Sequence, residues 1–542
     1  MNKDHNNSDN KYIFVTGGVL SGLGKGIVAA SLGRLLKSRG FKPTLQKVDP
    51  YLNVDAGTMN PYQHGEVFVT KDGAETDLDL GHYERFINEE LTGANNVTTG
   101  MVYSSVMEKE RKGEYLGKTV QIIPHITNEI KRDIKQPLEE SDSDLIITEV
   151  GGTVGDIESL PFLEALRQMK DEIPPENVAF IHLTLVPYLK TSKELKTKPT
   201  QHSVKELRGI GITPDIIVAR CDRDLPQSVR NKIGLFCDVP TENVIENQNM
   251  DVIYEVPMAM EKEELDERVL EQLDLPKRDK DMSDWSRRVE KIKHPEDQVT
   301  IGMFGKYTEL EDAYISITEA FQHGAAETGI KPQFLWFSSE DLEKSDLEDH
   351  LEKVDGVVIP PGFGKRGVEG KITTAKLARK KGIPLFGICL GMQVATIEFA
   401  RNVIGHKEAN STEFNPDASD LVIDLMPEQI EIEKKGGTMR LGSYESTITP
   451  GTKTEEIYGK STISERHRHR YEFNNDYREE FEAAGMKMAA TSLDGQLVEV
   501  IEYEDHPWYI GVQFHPEFNS RLEDPHPLFT SFLRACRDKE SD

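Results

Sequence analysis

Residues 15–26 read Val15-Thr16-Gly17-Gly18-Val19-Leu20-Ser21-Gly22-Leu23-Gly24-Lys25-Gly26. The apolar residues just before this loop, 11–16, predict a strand, and residues 27–38 predict a helix after it. A strand, a glycine turn and a helix start bring several backbone N–H groups and the Lys25 ammonium to one point, which suits a phosphate group. The stretch therefore predicts a nucleoside triphosphate site on a parallel α/β sheet.

The loop departs from the usual phosphate-loop spacing. Five residues separate Gly18 from Gly24, and Gly26 stands where a serine or threonine usually helps to hold magnesium. Thr16 and Ser21 are the hydroxyl groups left nearby. Acidic side chains are therefore expected to carry the metal.

Two acids are candidates for that metal. Asp79 lies in the compact acidic stretch 76–80, and Glu149 ends the apolar, strand-like stretch 144–150. The end of a strand is where a metal-binding acid of a phosphate-loop enzyme is expected. For either residue taken alone, a solvated or capping carboxylate is the alternative.

A second reactive centre is predicted around Cys389, in the stretch 387–391, which reads Gly-Ile-Cys-Leu-Gly. A cysteine between an apolar strand and a helix sits on a strained turn, where the helix N-terminus favours the thiolate. His515 could serve as its base and Glu517 could orient that base, while the loop 360–364 could offer N–H groups to an oxyanion. The other three cysteines lack such neighbours and are predicted to be structural: Cys221, Cys237 and Cys536.

Strand-like and helical stretches alternate along the chain, which indicates an α/β fold with parallel sheets. The 542 residues are too many for one hydrophobic core. A charged stretch with little apolar periodicity interrupts the alternation, and we place a linker there. The predicted domains are residues 1–275 and 299–542, joined by the linker 276–298. The predicted strands lie at 144–150, 179–186, 216–220, 299–304, 357–359 and 384–388.

The composition of the chain argues against a nucleic-acid-binding, membrane-spanning or secreted protein. With 94 acidic and 65 basic residues, the net charge of −29 disfavours a nucleic-acid role. No apolar run approaches the roughly 20 residues of a membrane helix, and the polar residues 1–10 do not resemble a signal peptide. We expect a cytoplasmic enzyme with a short disordered start. The acidic surface is either an ordinary solubilising surface or an adaptation to a saline cytoplasm.

Taken together, these features resemble the CTP synthase family, in which an amidoligase domain precedes a class I glutamine amidotransferase domain. The resemblance runs from about Tyr12 to Arg534. It implies a P-loop-type, dethiobiotin synthetase-like domain of parallel sheet, followed by a class I glutamine amidotransferase α/β domain. Besides the cysteine centre, it rests on the stretches 17–26, 63–67, 73–79, 149–159 and 196–203.

The resemblance also implies a reaction. ATP would phosphorylate the 4-oxygen of UTP, and Cys389 would release ammonia from glutamine through a glutamyl thioester. Ammonia passing inside the protein would then displace the phosphate and give CTP. Magnesium is the implied cofactor, GTP an implied activator and CTP an implied inhibitor. Family members assemble as homotetramers, and some stack into filaments.

Family motifs assign roles to individual positions of this chain. The residues implied for ATP are Ser21, Gly22, Leu23, Gly24, Lys25, Gly26, Lys47 and Asp79. Those implied for UTP or CTP are Ser21, Asp156, Ile157, Glu158, Lys196, Thr197, Lys198, Pro199, Thr200, Gln201 and Lys232. Those implied for glutamine are Gly362, Leu390, Gly391, Met392, Gln393, Glu413 and Arg470. The triad would be Cys389, His515 and Glu517, the metal acids Asp79 and Glu149, and the residues near the ammonia route His64 and Val67.

Two further positions are implied only as candidates for the GTP site, namely Lys306 and Arg440, the latter in the stretch 436–440. Surface solvation is the alternative for both. The chain departs from the common family pattern at Pro361, where a glycine is usual, and this puts the oxyanion contacts in question but not the triad. Lys365 replaces a common tyrosine, and Gly22 stands where many bacterial members carry serine.

Two rival functions are weighed against this one. Another ATP-dependent amidoligase, such as a cobyrinate amide synthase, would have to recognise a large macrocycle carboxylate. The stretch 196–201, rich in donors for a triphosphate, argues against it. A non-catalytic filament protein is disfavoured because Cys389, His515 and Glu517 are all present.

Overall fold

The computed structural model describes residues 10–306, 308, 310–339, 347–425 and 439–539. The chain forms two compact units. The first contains the residues up to Ala56 together with Asp79–Val289, and the second contains Gly57–Leu78 together with the residues from Glu290 onward. The chain start predicted to be disordered is residues 1–10. Residues 1–9 of it lie outside the described residues.

Strands alternate with helices through both units. The strands are β1 Lys11–Gly17, β2 Pro43–Asp49, β3 Phe68–Val69, β4 Glu75–Thr76, β5 Asn96–Thr98, β6 Leu145–Val150, β7 Val178–Leu185, β8 Tyr188–Leu189, β9 Glu194–Leu195, β10 Ile216–Arg220, β11 Val244–Asn247, β12 Asp297–Gly305, β13 Ile330–Ser338, β14 Gly356–Ile359, β15 Leu385–Ile388, β16 Asn410–Ser411, β17 Leu421–Leu425, β18 Arg440–Ile448, β19 Thr462–His469, β20 Tyr471–Phe473, β21 Met486–Ser492, β22 Val498–Tyr503 and β23 Tyr509–Val512.

The helices are α1 Lys25–Ser38, α2 Pro61–His64, α3 Asp79–Ile87, α4 Thr99–Arg111, α5 Thr127–Glu140, α6 Leu160–Glu172, α7 Lys198–Ile210, α8 Gln227–Cys237, α9 Val256–Lys262, α10 Leu265–Gln272, α11 Ser283–Lys293, α12 Ile315–Thr328, α13 Leu347–Leu351, α14 Val368–Lys381, α15 Leu390–Phe399, α16 Lys453–Tyr458, α17 Arg478–Ala483 and α18 Pro527–Lys539. Among the described residues, no helix is long and apolar enough to cross a membrane.

The first unit is built on a seven-stranded sheet in the order β11-β10-β7-β1-β6-β2-β5. Each neighbouring pair is parallel. The register places Glu149 of β6 opposite Val15 of β1 on one side and opposite Lys47 of β2 on the other. Because parallel strands end at the same edge, the glycine loop after β1 meets both side chains there.

The second unit is built on a nine-stranded sheet in the order β13-β12-β14-β15-β23-β22-β21-β18-β19. Its first five strands are parallel, and the others join them in antiparallel pairs. Ile388 of β15 lies opposite Val512 of β23, and the Cys389 N–H donates to the Val512 carbonyl over 2.7 Å. The segments that carry Cys389 and His515 therefore leave the sheet side by side.

The predicted α/β class is confirmed, with an all-parallel first sheet and a second sheet that also contains antiparallel pairs. The six predicted strands correspond to β6, β7, β10, β12, β14 and β15. The predicted linker 276–298 contains helix α11 and the start of β12, and its Trp285 is fully buried. The division into units also differs from the predicted domains at Gly57–Leu78, which packs with the second unit. That segment carries only short elements, α2, β3 and β4.

Candidate active site

The glycine loop joins β1 to α1 at the carboxyl edge of the first sheet. Its backbone is left-handed at Val19, Gly22 and Gly24, so the chain turns sharply before the helix begins. Lys25 is buried, its Nζ donates to the Gly152 carbonyl over 2.8 Å, and burial lowers its pKa. An ammonium fixed beside a helix N-terminus provides the positive site that the sequence predicts.

The two predicted metal acids lie together beside this loop. The Lys47 Nζ contacts the Asp79 carboxylate and lies 3.2 Å from Oε1 of Glu149. Burial would raise the pKa of Asp79, but Lys47, His82 and Lys25 together outweigh burial and lower it. Burial, followed by the Asp79 charge, raises the pKa of Glu149, to which the Tyr83 hydroxyl donates. Two carboxylates that converge on one ammonium have the charge and spacing to attract a cation.

Gly26 explains the departure from the usual loop. A Cβ at this position would lie 2.3 Å from Oδ1 of Asp79 and 3.3 Å from Oε2 of Glu149. A serine or threonine would therefore fill the space that the acids face. Among the described residues, no three or more histidine, cysteine, aspartate or glutamate side chains form a ready-made metal site. Two carboxylates nevertheless fit Mg²⁺, which takes its other ligands from water and from substrate phosphates.

The two hydroxyl groups near the loop differ in their surroundings. Thr16 contacts Nδ1 of the buried His182 over 2.8 Å, and Nε2 of His182 contacts the Ser203 hydroxyl over 2.7 Å. Thr16 thus belongs to a buried network behind the loop. Ser21 is exposed within the loop. The hydroxyl that could face a ligand is therefore that of Ser21.

The residues implied for UTP form two groups in the first unit. Asp156 accepts from the Thr153 N–H and hydroxyl over 2.7 and 2.8 Å, so it holds the turn that presents the exposed Ile157 and Glu158. Lys196, and less strongly Lys232, lower the pKa of Glu194, which places these two lysines in one neighbourhood.

The rest of that second group begins helix α7. Gln201 donates to the Thr197 hydroxyl over 3.0 Å, and Lys198 and Pro199 form the first turn. The Thr200 hydroxyl is buried and donates to the Leu185 carbonyl over 3.1 Å. Thr200 therefore holds the helix to the sheet, while its neighbours are the ones placed to meet a ligand.

Cys389 has the strained backbone expected of a nucleophile on a tight turn, with φ 51° and ψ −100°, and α15 starts at the next residue. Nδ1 of His515 lies 2.7 Å from Oε1 of Glu517. Burial would lower the pKa of His515, but the charges of Glu517 and Cys389 overcome it and raise the pKa to about 10. The three predicted triad residues are therefore together and buried, and the imidazole interacts with both the sulfur and the carboxylate, a geometry that suits a nucleophile, a base and an orienting acid.

Residues implied for glutamine lie around this sulfur. Leu390, Gly391, Met392 and Gln393 form the first turn of α15, and a Cβ at Gly362 would lie 3.3 Å from Cδ2 of Leu390. Glu413 accepts from the Gly364 N–H over 2.5 Å. Burial raises the pKa of Glu413, and the nearby charges of Lys306 and Arg470 oppose this rise. The loop 360–364 and these side chains thus surround one site.

The structure contradicts the alternative that the two GTP candidates, Lys306 and Arg440, are solvated surface residues. Lys306 is buried, and its Nζ donates to the carbonyls of Phe363 and Gly364, the latter over 2.6 Å. Arg440 is buried and lies 2.7 Å from Glu499. Both side chains support the cysteine unit from within. Residues 436–438 of the quoted stretch lie outside the described residues.

His64 and Val67 lie in the segment Gly57–Leu78, which packs with the second unit. His64 ends α2 and is exposed, whereas Val67 is buried. Both are therefore in the unit that holds Cys389.

Sequence reasoning missed several side chains that support the two centres. Gln513 Nε2 lies 3.7 Å from the Cys389 sulfur, and the Arg468 carbonyl oxygen lies 3.9 Å from it. Gln513 is only two residues from His515, so its position on the same strand exit is a signal that could have identified it. Arg468 is likewise two residues from Arg470, whereas Tyr83 had no comparable signal, because its contact with Glu149 joins distant parts of the chain.

Comparisons with known proteins find similar sequences over both halves of the chain. The family model described as CTP synthase N-terminus matches residues 11–275, and the one for class-I glutamine amidotransferase matches residues 309–535. The CTP synthase of Clostridium beijerinckii is 58% identical over 529 residues, covering 98% of this chain and 99% of the relative. That of Carboxydothermus hydrogenoformans is 59% identical over 525 residues, covering 97% and 98%. A solved glutaminase domain of Trypanosoma brucei CTPS with bound acivicin is 37% identical, covers 44% of this chain and 94% of that one, and has a TM-score of 0.42.

Proposed function

This chain belongs to the CTP synthase family of ATP-dependent, glutamine-hydrolysing amidoligases, and we propose that it converts UTP to CTP through a 4-phosphorylated intermediate. The observation that carries the proposal is the presence of two separate polar centres. One is the glycine loop with Lys47, Asp79 and Glu149, and the other is the Cys389–His515–Glu517 group.

The first step would take place at the glycine loop. The 4-oxygen of UTP attacks the γ-phosphorus of ATP, a P–O bond forms to that oxygen, and the bond to the β-phosphate breaks to release ADP. A triphosphate carries about four negative charges, which Lys25 and Lys47 are placed to balance. Asp79 and Glu149 would hold Mg²⁺, which neutralises phosphate charge when bound.

UTP would be held by the Asp156–Glu158 turn, by Lys196, by the start of α7 and by Lys232. The exposed side chains of the turn and the paired lysines around Glu194 support this assignment. The stretch 196–201 is rich in donors for a triphosphate, which argues against a macrocycle carboxylate as the substrate group. The pyrimidine nucleotide is therefore preferred over the rival substrate class.

The second step would take place at Cys389. The sulfur attacks the side-chain amide carbon of glutamine, and the C–N bond breaks as the nitrogen takes a proton from His515 and leaves as ammonia. A water molecule, deprotonated by the same imidazole, then hydrolyses the thioester to glutamate. The raised pKa of His515 means that the resting imidazole holds the proton that the leaving nitrogen needs.

The two steps would be joined by ammonia moving inside the protein, near His64 and Val67. Ammonia is nucleophilic only when unprotonated, and an enclosed route protects that form. Attack at C4 of the phosphorylated intermediate expels phosphate and gives CTP. We also propose GTP activation, CTP feedback inhibition and a homotetramer with the capacity to stack into filaments, as in the family.

The test is conversion of the uracil to the cytosine chromophore by the purified protein with UTP, ATP and magnesium. One reaction contains glutamine and a parallel one contains ammonium chloride. CTP from both supports the proposal, and CTP from ammonia alone calls for GTP to be added next. No CTP from either source, with a folded protein over a range of salt, would favour an amidoligase with another substrate.

A further inference from the structure

A short hairpin from the N-terminal half of the sequence reaches both reactive members of the cysteine centre, in each case through one intervening residue. It consists of residues 68–76, in which β3 pairs with β4 through Phe68↔Thr76 and Val69↔Glu75. By sequence it lies within the CTP synthase N-terminus match, yet it packs with the second unit. We call it the β3–β4 hairpin.

The hairpin reaches Cys389 through an ion pair. Nε of Arg468 lies 2.7 Å from Oε1 of Glu75, and the two side chains are only 15% and 10% exposed. The carbonyl oxygen of the same Arg468 lies 3.9 Å from the Cys389 sulfur. Its guanidinium also lies 5.1 Å from the centre of the Phe363 ring, in the loop beside the sulfur. A movement of Arg468 would therefore change the groups that surround the Cys389 sulfur.

The place for the Glu75 carboxylate is formed by the backbone around it. A Cβ at Gly57 would lie 2.2 Å from Oε2 of Glu75, so a side chain at this position would force the carboxylate to move. Nη2 of Arg468 donates to the Gly57 carbonyl over 3.3 Å, beside its bond to the carboxylate. The arginine is thus held at two points by the segment Gly57–Leu78.

The hairpin reaches His515 through aromatic packing. The rings of Phe68 and Phe518 meet edge to face at 5.1 Å, and Phe518 stacks on the His515 imidazole at 5.0 Å with an angle of 7° between the planes. Nη1 of Arg466 donates to the Val69 carbonyl over 3.0 Å, while the Arg466 carbonyl accepts from the His515 N–H over 2.7 Å. Arg468 thus connects the hairpin to Cys389, and Phe518 connects it to His515.

We propose that the β3–β4 hairpin builds part of the glutaminase centre from the amidoligase half of the chain, and that Glu75 is its positioning residue, acting through Arg468 on Cys389. This rests on the proposed function of Cys389 in glutamine hydrolysis. Small displacements of a nucleophile have large kinetic effects, on the order of 10²-fold for 1 Å. The loss of the Glu75 charge would deprive the partly buried Arg468 guanidinium of the carboxylate that holds it, so Arg468 would shift.

The test measures glutamate release and CTP formation in full-length Glu75→Gln, with Asp72→Asn as the matched control. Asp72 lies on the same hairpin, is exposed, and accepts from the Thr70 hydroxyl over 2.6 Å, so its variant removes the same charge away from Arg468. We expect Glu75→Gln to lower the glutaminase kcat roughly tenfold or more, with a smaller change in KM. The rate of Cys389 alkylation by iodoacetamide should fall as well, because this reaction measures the reactivity of the sulfur in the absence of glutamine.

Ammonia-dependent CTP synthesis separates this proposal from a general defect. Asp79 follows Thr76 by only three residues, so a damaged amidoligase centre would show as lost ammonia-dependent activity. We expect that activity to stay unchanged in Glu75→Gln. If the wild type itself made no CTP, alkylation and glutamate release would still test the positioning role, and the proposed function alone would fail.

A double-mutant cycle with Arg468→Met tests the route. If Glu75 acts through Arg468, Glu75→Gln should have little further effect on the glutaminase kcat in the Arg468→Met background. Additive losses, an unchanged kcat in Glu75→Gln, or an equal loss in Asp72→Asn would each overturn the proposal.

Discussion

Position 26 decides what can lie between the two acids at the phosphate loop. A Cβ there would lie 2.3 Å from Oδ1 of Asp79, closer than van der Waals contact allows, and 3.3 Å from Oε2 of Glu149, a tight contact. The usual phosphate loop has a hydroxyl group at this position, whereas this loop has a glycine that leaves space beside two carboxylates. A cation held in that space would be attracted by the two neighbouring carboxylates, beside the charges of Lys47 and Lys25.

Gly26→Ala should consequently impair the amidoligase reaction. The added methyl group displaces Asp79, so we expect kcat/KM for ATP to fall by roughly 10²-fold, in line with a displacement of about 1 Å. Both the glutamine- and the ammonia-dependent reactions should show this loss, while glutamate release persists. Gly209→Ala is the matched control, because no atom lies within 4 Å of a Cβ at that position. Equal kinetics for the two variants would contradict the assigned role of the space.

His515 gives a second prediction at the same scale, on pH. Its pKa is raised to about 10 in the folded protein, against about 6.5 when unfolded. A raised pKa contributes stability that is fully present below pH 6.5 and is lost as the pH rises through 10. Glu517→Gln removes the attraction that opposes burial, so wild type should exceed this variant in stability by at least about 1 kcal/mol at pH 6.

Urea unfolding at pH 6 and at pH 10 checks that prediction. The difference between wild type and Glu517→Gln should shrink at the higher pH, where His515 is losing its proton in the wild type. A difference that stays constant across this range would mean that the His515–Glu517 interaction is not linked to the proton. Glutamate release by the variant should fall by roughly 10²-fold or more, as for loss of other orienting acids.

At the scale of elements, helix α11 shows how a charged stretch can still be part of a core. Trp285 is fully buried, its Nε1 donates to the Tyr254 carbonyl over 2.8 Å, and the Arg34 guanidinium lies 5.0 Å from its ring. Met282 and Val289 are buried on the same face of the chain. The spacing of these three apolar residues, three and then four apart, is a helical signal that the surrounding charges obscured.

Trp285→Ala should therefore destabilise the first unit by about 3–5 kcal/mol, the usual cost of removing a fully buried large aromatic side chain. Thermal or urea unfolding measures the effect. Trp336→Ala provides a comparison in the second unit, where the ring is only partly buried, and should cost less. A near-neutral Trp285→Ala would mean that α11 is a detachable linker, as the sequence alone suggests.

The elements that could be predicted from sequence are those with a long local pattern. The strand and helix around the glycine loop, and the strand before Cys389, have continuous apolar runs, so their position and type follow from periodicity. The β3–β4 hairpin has only two residues in each strand, too few for any period to show. Its pairing with distant residues such as Arg468 depends on tertiary packing, which local propensity does not encode.

The same limit applies inside the two centres. Lys25, Cys389 and His515 were recognisable because each stands in a motif whose chemistry requires it. The ion pair of Glu75 with Arg468 and the bond from Tyr83 to Glu149 join positions far apart in the chain, and no spacing rule connects them. Motifs thus reveal the reacting groups, and the structure is needed to find the side chains that position them.

At the scale of the whole molecule, one chain holds both the source of ammonia and its consumer. If ammonia passes internally, a chain that only hydrolyses glutamine and a second chain that only aminates UTP cannot together match the wild type. Lys25→Ala should still release glutamate and ammonia but make no CTP. Cys389→Ala should make CTP only from added ammonia, since its amidoligase centre is intact.

An equimolar mixture of Lys25→Ala and Cys389→Ala, supplied with glutamine, tests this directly. An internal route delivers ammonia at an effective concentration of roughly millimolar, whereas micromolar enzyme releases far less into solution at early times. We therefore expect an initial rate below roughly a tenth of the wild-type rate, followed by a lag as bulk ammonia accumulates. Ammonium chloride should at once restore the mixture to the rate of Cys389→Ala alone, which shows that its amidoligase is folded. An initial rate near that of the wild type would mean that ammonia exchanges freely between chains, and the enclosed route would have to be abandoned.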